Sequence, residues 1–260
     1  MKTKIDYRSH WLLAVTAAFW VYAEAAIADS APIATIGSDN VTIYGEPYFG
    51  SLDDSAPLIL LFHQSGSNGR AEYATIAAWL NDNGFRAIAW DQRSGGDLHG
   101  GSNRTATQLA DNVATGYCDA YADLDAALRY VRDEGLADKV VLWGSSYSAA
   151  LVFRLAAEKQ DAVAGLIAFS PASGGPMVDC RARLWVENVH SPKLVLRPDS
   201  EMARKSSVEQ QQILSRAGAR FITVENGVHG SSMLLDERTD HDMAEVRGTV
   251  IDWLRNTTEM

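Results

Sequence analysis

The sequence has no apolar run long enough to hold it in a bilayer as a stable anchor, since a spanning helix needs about 20 residues. It has no internal repeat and no low-complexity linker, so nothing divides it into an array of units. No His, Cys or Asp spacing suggests a metal site, and no Gly-x-Gly-x-x-Gly follows a strand. Neither a metal nor a nucleotide cofactor is therefore inferred. Basic charge is short: 23 Lys and Arg stand against 33 Asp and Glu among 260 residues. An acidic body of that kind disfavours nucleic acid and anionic membranes as partners. Cysteine is scarce too, with Cys118 and Cys180 alone.

What is present begins with Lys2, Lys4 and Arg8, an apolar run of 13 residues from Trp11 to Ala23 broken only by Thr16, and a small-x-small site at Ala26-Ile27-Ala28. The pattern is that of a secretory signal peptide over residues 1–28, with an uncleaved tether as the alternative. The mature chain then starts near Asp29, and losing three basic and two acidic residues moves the net charge from −10 to −11. With 47% hydrophobic residues, residues 29–260 suffice for one sizeable core, and a single domain is expected. Export to a periplasm or to the cell exterior makes Cys118 and Cys180 a candidate disulfide. Closing its loop of about 60 residues is worth roughly 4 kcal/mol in the chain-entropy model. The alternative is two separate buried thiols. The Asn-x-Thr triplets at Asn40, Asn103 and Asn256 carry no functional weight.

Strands and helices alternate along the body. Val41 to Phe49 reads as a short outer hairpin or strand. Leu58–Phe62 is continuously apolar, as a strand buried on both faces would be. Further strands are expected at Phe85–Trp90, Lys139–Trp143, Val163–Phe169, Lys193–Arg197 and Ala219–Val224. Helices are expected at Glu72–Asn81, Asp119–Glu134, Tyr147–Lys159, Arg204–Ala217 and His241–Arg255. This order predicts a mainly parallel, doubly wound α/β sheet. The longest irregular stretch, Gln92 to Tyr117, is more often a site wall than a spacer at that length.

In such a sheet ligands bind at the carboxyl ends of the strands. Gly144-Ser145-Ser146-Tyr147-Ser148 follows one strand and precedes a helix, which is the layout of a nucleophile elbow. The motif asks for glycine at its last place, and Ser148 stands there instead. Asp199 and Glu201 follow Lys193–Arg197, and His229 follows Ala219–Val224 between Gly227 and Gly230. A serine hydroxyl is a weak nucleophile at neutral pH, an imidazole can take and return its proton, and a carboxylate fixes the imidazole tautomer. The tetrahedral oxyanion needs two N–H donors, assigned to Tyr147 and to Ser65 in the first loop. His63 reads as structural, and His99, His190 and His241 lie in stretches that look solvated. Asp91 and Arg93 read as turn-stabilising.

The His63-Gln64-Ser65-Gly66 loop, the Trp90–Gly96 turn, the Gly144–Ser148 elbow and the Val228-His229-Gly230 ending together resemble the α/β-hydrolase superfamily, in its small dienelactone-hydrolase-like members. The similarity runs over about residues 58–255. It implies the chain order Ser, acid, His, and an oxyanion donor two positions after the loop's histidine, at Ser65, with Gln64 as runner-up. It places the acid about nine residues after Pro192, at Glu201, with Asp199 as the alternative. Dienelactone hydrolases carry cysteine at the elbow, so lactone specificity does not follow for Ser146. The 23 residues from Ser170 to Pro192 leave room for little or no cap, with Trp185, Tyr147 and the Gln92–Tyr117 loop as candidate walls. A Cys118–Cys180 bridge would pin that excursion beside the pocket. The implied activity is cleavage of a small-molecule carboxylic ester. A prolyl-oligopeptidase-type peptidase or an acyltransferase on the same triad, or a silent hydrolase-fold binding protein, are the alternatives.

Overall fold

The computed structural model describes residues 32–259; the signal-peptide expectation lies outside the described residues. Eight strands form one sheet: β1 Ile33–Ile36, β2 Thr42–Tyr48, β3 Leu58–Phe62, β4 Arg86–Asp91, β5 Val140–Ser145, β6 Val163–Phe169, β7 Lys193–Pro198 and β8 Arg220–Val224. Their spatial order is β1-β2-β4-β3-β5-β6-β7-β8. β1 and β2 pair antiparallel, as do β2 and β4, and every other pairing is parallel. The helices are α1 Gly69–Asp82, α2 Tyr121–Asp133, α3 Tyr147–Glu158, α4 Lys205–Arg216, α5 Asp236–Thr239 and α6 Ala244–Thr258.

Side-chain alternation along the strands builds two cores. Leu58, Leu60 and Phe62 face Leu124, Leu128 and Val131 of α2 and Leu151 and Leu155 of α3. Ile59 and Leu61 face the other way, onto Tyr73, Ile76 and Leu80 of α1 and Val250, Ile251 and Leu254 of α6. A strand covered on both faces must be apolar at every position, which is why β3 reads as an unbroken run.

The observed boundaries differ from the sequence reading where a side chain takes over a backbone bond. α1 starts at Gly69, not Glu72, because the Asn68 side chain accepts the Ala71 N–H at 2.9 Å and caps the helix there. The last helix starts at Ala244, not His241. The short α5 precedes it, and the Asp236 carboxylate accepts the Met243 N–H at 2.9 Å. The Val41–Phe49 stretch holds the single strand β2, and β1, which lies before it, pairs with it through a turn in which Asn40 is left-handed (φ 63°).

The Gln92–Tyr117 stretch contains one 3₁₀ turn, Ala106–Gln108, and is fixed at its start by buried charge. Asp91 accepts the N–H groups of Gly69 and Arg104, each at 2.8 Å. Arg93 pairs with Asp123 at 2.7 Å and with Asp39 at 2.6 Å, and the Arg93 and Asp123 side chains are 2% and 0% exposed. At the other end of the stretch Cys118 is bonded to Cys180, with Cα atoms 5.6 Å apart.

Removing one partner of a buried ion pair leaves the other charge uncompensated. Asp123→Ala is predicted to lower stability by about 3–5 kcal/mol, read from chemical denaturation. Asp39→Ala, at the 38% exposed partner, should cost under about 1 kcal/mol. Equal losses would show that burial does not govern this pair.

Candidate active site

β5 delivers the chain to Ser146, whose backbone is left-handed (φ 59°, ψ −115°). A non-glycine residue there is strained and persists only where its surroundings hold it. Two bonds do so: Ser146 N–H donates to Phe169 O at 2.9 Å, and Ala172 N–H donates to Ser146 O at 3.0 Å. Gly144 is required, since a Cβ there would meet Ala149 N and Ser148 O at 2.6 Å. Ser148, where the motif has glycine, has a use for its hydroxyl. It donates to His63 O at 2.7 Å and accepts from Gln92 Nε2 at 2.6 Å. The elbow helix is thereby tied to the loop after β3.

His229 sits beyond β8 on a loop stapled to the sheet. Gly230 N–H donates to Ser170 Oγ at 3.2 Å and Ser231 N–H to Ser145 Oγ at 3.0 Å, while Trp143 Nε1 donates to Ser231 Oγ at 2.9 Å. His229 Nε2 lies 2.8 Å from Ser146 Oγ, and its Nδ1 lies 2.5 Å from Glu201 Oε1. With the ring proton on Nδ1, Nε2 is free to receive the Ser146 hydroxyl proton. The 3₁₀ turn Asp199–Glu201 turns Glu201 inward, to 7% exposure. Asp199 stays exposed, accepts Ser200 N–H at 2.8 Å and makes no bond to His229.

The second oxygen of Glu201 pairs with Arg197, which also donates to Pro171 O and Gln210 Oε1, both at 2.6 Å. Burial pushes the Glu201 carboxyl up. The hydrogen bond and charge of His229 and the guanidinium groups of Arg197 and Arg204 outweigh it and hold Glu201 below its ordinary value. Sequence reasoning missed Arg197, although a charge directly after the apolar run Leu194–Leu196, within the same strand, was a signal that it had a buried partner.

The loop after β3 arrives beside Ser146. Gln64 N–H is committed to Glu72 Oε2 at 2.8 Å, which removes Gln64 as the runner-up donor. The Ser65 and Tyr147 N–H groups bond to no described backbone group, and that of Tyr147 opens α3, at the positive end of its dipole. His63 is fully buried, donates from Nδ1 to Gln64 O at 2.7 Å and accepts at Nε2 from Gln92 N–H at 2.9 Å. Burial pushes its pKa down, so it stays neutral and structural. Glu72, 1% exposed with its pKa pushed up by burial, is a second residue that the sequence reading passed over.

The site is open. The His229 side chain is 46% exposed, and the excursion between β6 and β7 holds only the 3₁₀ turns Gly175–Met177, Ala182–Leu184 and Val186–Asn188. Trp185 packs 5.1 Å from the Arg154 guanidinium of α3. A cavity of about 590 Å³ opens beside Ser65, walled by Leu109, Val113 and Tyr117. A larger one, about 830 Å³, lies at the amino ends of the strands around Leu58, Lys139 and Val163, away from this chemistry. Among the described residues, no group of three or more His, Cys, Asp or Glu could hold a metal ion.

The sequence matches the family described as serine aminopeptidase, S33, over residues 54–223, a span that includes Ser146 and Glu201 and stops short of His229. No curated protein matches it. Similar solved structures include an esterase from Pyrococcus furiosus, 14% identical, covering 86% of this chain and 90% of that one with a TM-score of 0.64. Est1E from Butyrivibrio proteoclasticus is also 14% identical, covering 89% and 100%, with a TM-score of 0.64. A dienelactone hydrolase from Anabaena variabilis is 15% identical, covering 87% and 99%, with a TM-score of 0.62. At these identities the likeness shows the fold, that of the α/β hydrolases.

Because Glu201 is held below its ordinary value of 4.5, its ionisation contributes stability that is complete above that pH and lost as the pH falls through the lower folded value. Urea midpoints of the native protein and of Glu201→Gln, followed from about pH 7 to about pH 3, should differ most at neutral pH and converge in acid. A gap independent of pH would contradict this.

Proposed function

The chain belongs to the α/β-hydrolase family described as serine aminopeptidase, S33, and from that premise we propose that it is an exported serine hydrolase that cleaves a carboxylic ester through an acyl-Ser146 intermediate. The observation that carries the reading is the continuous relay Ser146 Oγ, His229, Glu201, with the Ser65 and Tyr147 N–H groups, which have no backbone acceptor, as the proposed oxyanion donors. In the first half-reaction Ser146 Oγ bonds to the ester carbonyl carbon as its proton passes to His229 Nε2. The carbonyl electrons move onto oxygen, which the Ser65 and Tyr147 N–H groups stabilise. The tetrahedral species collapses, the bond to the alcohol oxygen breaks, and His229 returns the proton to the leaving alcohol. A water then repeats the sequence on the acyl-enzyme, giving the acid and free Ser146. Glu201 holds the Nδ1 proton throughout and offsets the imidazolium charge.

Two features favour hydrolysis of an ester over the other reactions open to such a triad. The half-exposed His229 leaves water free to reach the acyl-enzyme, which disfavours transfer to another acceptor. An aminopeptidase needs a free carboxylate for the substrate's α-ammonium. Of the carboxylates bonded into the site, Glu201 is committed to His229 and Arg197, and Glu72 is 1% exposed and bonded through one oxygen to Gln64 N–H. The Cys118–Cys180 bridge suits an oxidising compartment and supports export.

A fluorophosphonate probe should label the native protein at Ser146, and Ser146→Ala should abolish both labelling and p-nitrophenyl acetate cleavage; undiminished turnover in that variant refutes the assignment. Glu201→Gln should lower kcat by about 10³–10⁴-fold, and Asp199→Asn by less than about twofold. Equal small losses would leave the histidine without its proposed partner.

A further inference from the structure

We propose that Tyr117 is a positioning residue for the oxyanion hole, and that the Cys118–Cys180 bridge is the anchor that keeps it there. The inference rests on the reading of Ser146 as nucleophile and deepens it.

Tyr117 closes the long excursion between β4 and α2. Its hydroxyl lies 2.8 Å from Ser65 Oγ. Its ring stacks on that of Tyr147, with centroids 5.0 Å apart and planes inclined by 17°. One side chain therefore touches both proposed oxyanion donors, one through a hydrogen bond and the other through a ring face. The Tyr147 ring is fully buried and meets His63 edge-on at 6.4 Å, so it gives Tyr117 a rigid surface to lie on. Ser65 has less support. Its neighbour Gln64 is held by Glu72 and Gly66 N–H donates to Ser94 O at 3.1 Å. Ser65 itself is tied down at its side chain, by Tyr117.

The backbone that presents Tyr117 is exposed at residues 110–112 and 114–116. Its ties include Ser94 Oγ to Thr115 O at 2.8 Å and to Gly116 O at 3.3 Å, Arg93 Nη1 to Ala114 O at 3.4 Å, Gly116 N–H to Asp119 Oδ2 at 3.0 Å, and Asp119 N–H to Gly116 O at 3.0 Å. The covalent bond falls on the next residue. Cys118 is joined to Cys180, which is 1% exposed and packed with Met177. That second cysteine lies on the excursion whose start, Ala172, is bonded to Ser146 O. The bridge thus connects the segment carrying Tyr117 to the segment that braces the nucleophile. A misplacement of about 1 Å in a catalytic group can cost about 10²-fold in rate, so a relaxation of Tyr117 that moves the donor should be read in kcat.

The test compares native protein with Tyr117→Phe, which removes the hydroxyl and keeps the stack. The account predicts a fall in kcat of about tenfold with KM changed less than about twofold. A parallel loss of affinity for an alkyl boronic acid, whose adduct places a tetrahedral oxygen in the same hole, should accompany it. Amide hydrogen exchange in the 63–67 segment should rise, whether or not the protein turns over. Removing the bridge by Cys118→Ser with Cys180→Ser, assayed well below its melting temperature, should lower kcat in the same way. Adding Tyr117→Phe in that background should then change little, because the two act through one contact. If the double serine variant does not fold, reducing the folded protein with dithiothreitol and alkylating the two thiols takes its place. Unchanged kcat, boronate affinity and exchange in Tyr117→Phe overturn the role of Tyr117. Fully additive losses overturn the anchor. An inert native protein whose 63–67 exchange still responds to Tyr117→Phe would instead refute the ester reading and leave the positioning role standing.

Discussion

The left-handed backbone of Ser146, at the end of the central strand β5, is the constraint around which the rest is arranged. Such a conformation costs of order 1–3 kcal/mol for a residue with a side chain, and it lifts Ser146 Oγ out of the plane of the sheet. Strand β6 contributes to holding it, through Phe169 O, and so does the segment after β6, through Ala172 N–H. Gly144 lets α3 close down on β5, where a Cβ would collide with the backbone at 2.6 Å. The doubly wound sheet, with cores on both faces, gives this turn a support that cannot relax.

Three loops from distant parts of the chain must meet at that point, and buried polar groups fix each of them. Glu72 holds the loop after β3 at Gln64 N–H. Ser148, His63 and Gln92 join that loop to the elbow helix. Ser145, Ser170 and Ser231 hold the loop that carries His229. A buried donor or acceptor left alone costs about 1–3 kcal/mol, so each network defines one arrangement and penalises the alternatives. Catalytic geometry in this protein is thus a consequence of polar satisfaction below the surface. The reacting groups themselves stay open to solvent.

The strands were legible in the sequence because burial on both faces leaves an apolar run inside each of β3 to β7, a pattern short enough to exclude a helix. The edge strand β1 was not, since Ile33 to Ile36 alternates between half-buried and exposed positions over four residues. Ser146 stood out because it follows a strand two residues after Gly144, and His229 because it follows a strand between Gly227 and Gly230. Spacing from Pro192 pointed to Glu201 with Asp199 as the alternative, and a 3₁₀ turn sends these two carboxylates, two residues apart, to opposite environments. Ser148 looked like a departure from the motif because its partners, His63 and Gln92, lie 85 and 56 residues away. Arg197, Glu72 and Tyr117 take their roles from tertiary contacts, which no local pattern encodes.

The central claim is that Ser146 Oγ and the N–H groups of Ser65 and Tyr147 serve one carbonyl, the hydroxyl oxygen at its carbon and the two N–H groups at its oxygen. A crystal structure of the protein inactivated by a monoalkyl fluorophosphonate tests it most directly. The account predicts phosphorus bonded to Ser146 Oγ, with its phosphoryl oxygen about 2.7–3.1 Å from both nitrogens. A phosphoryl oxygen turned away from residues 65 and 147, or an adduct on any other side chain, would contradict it.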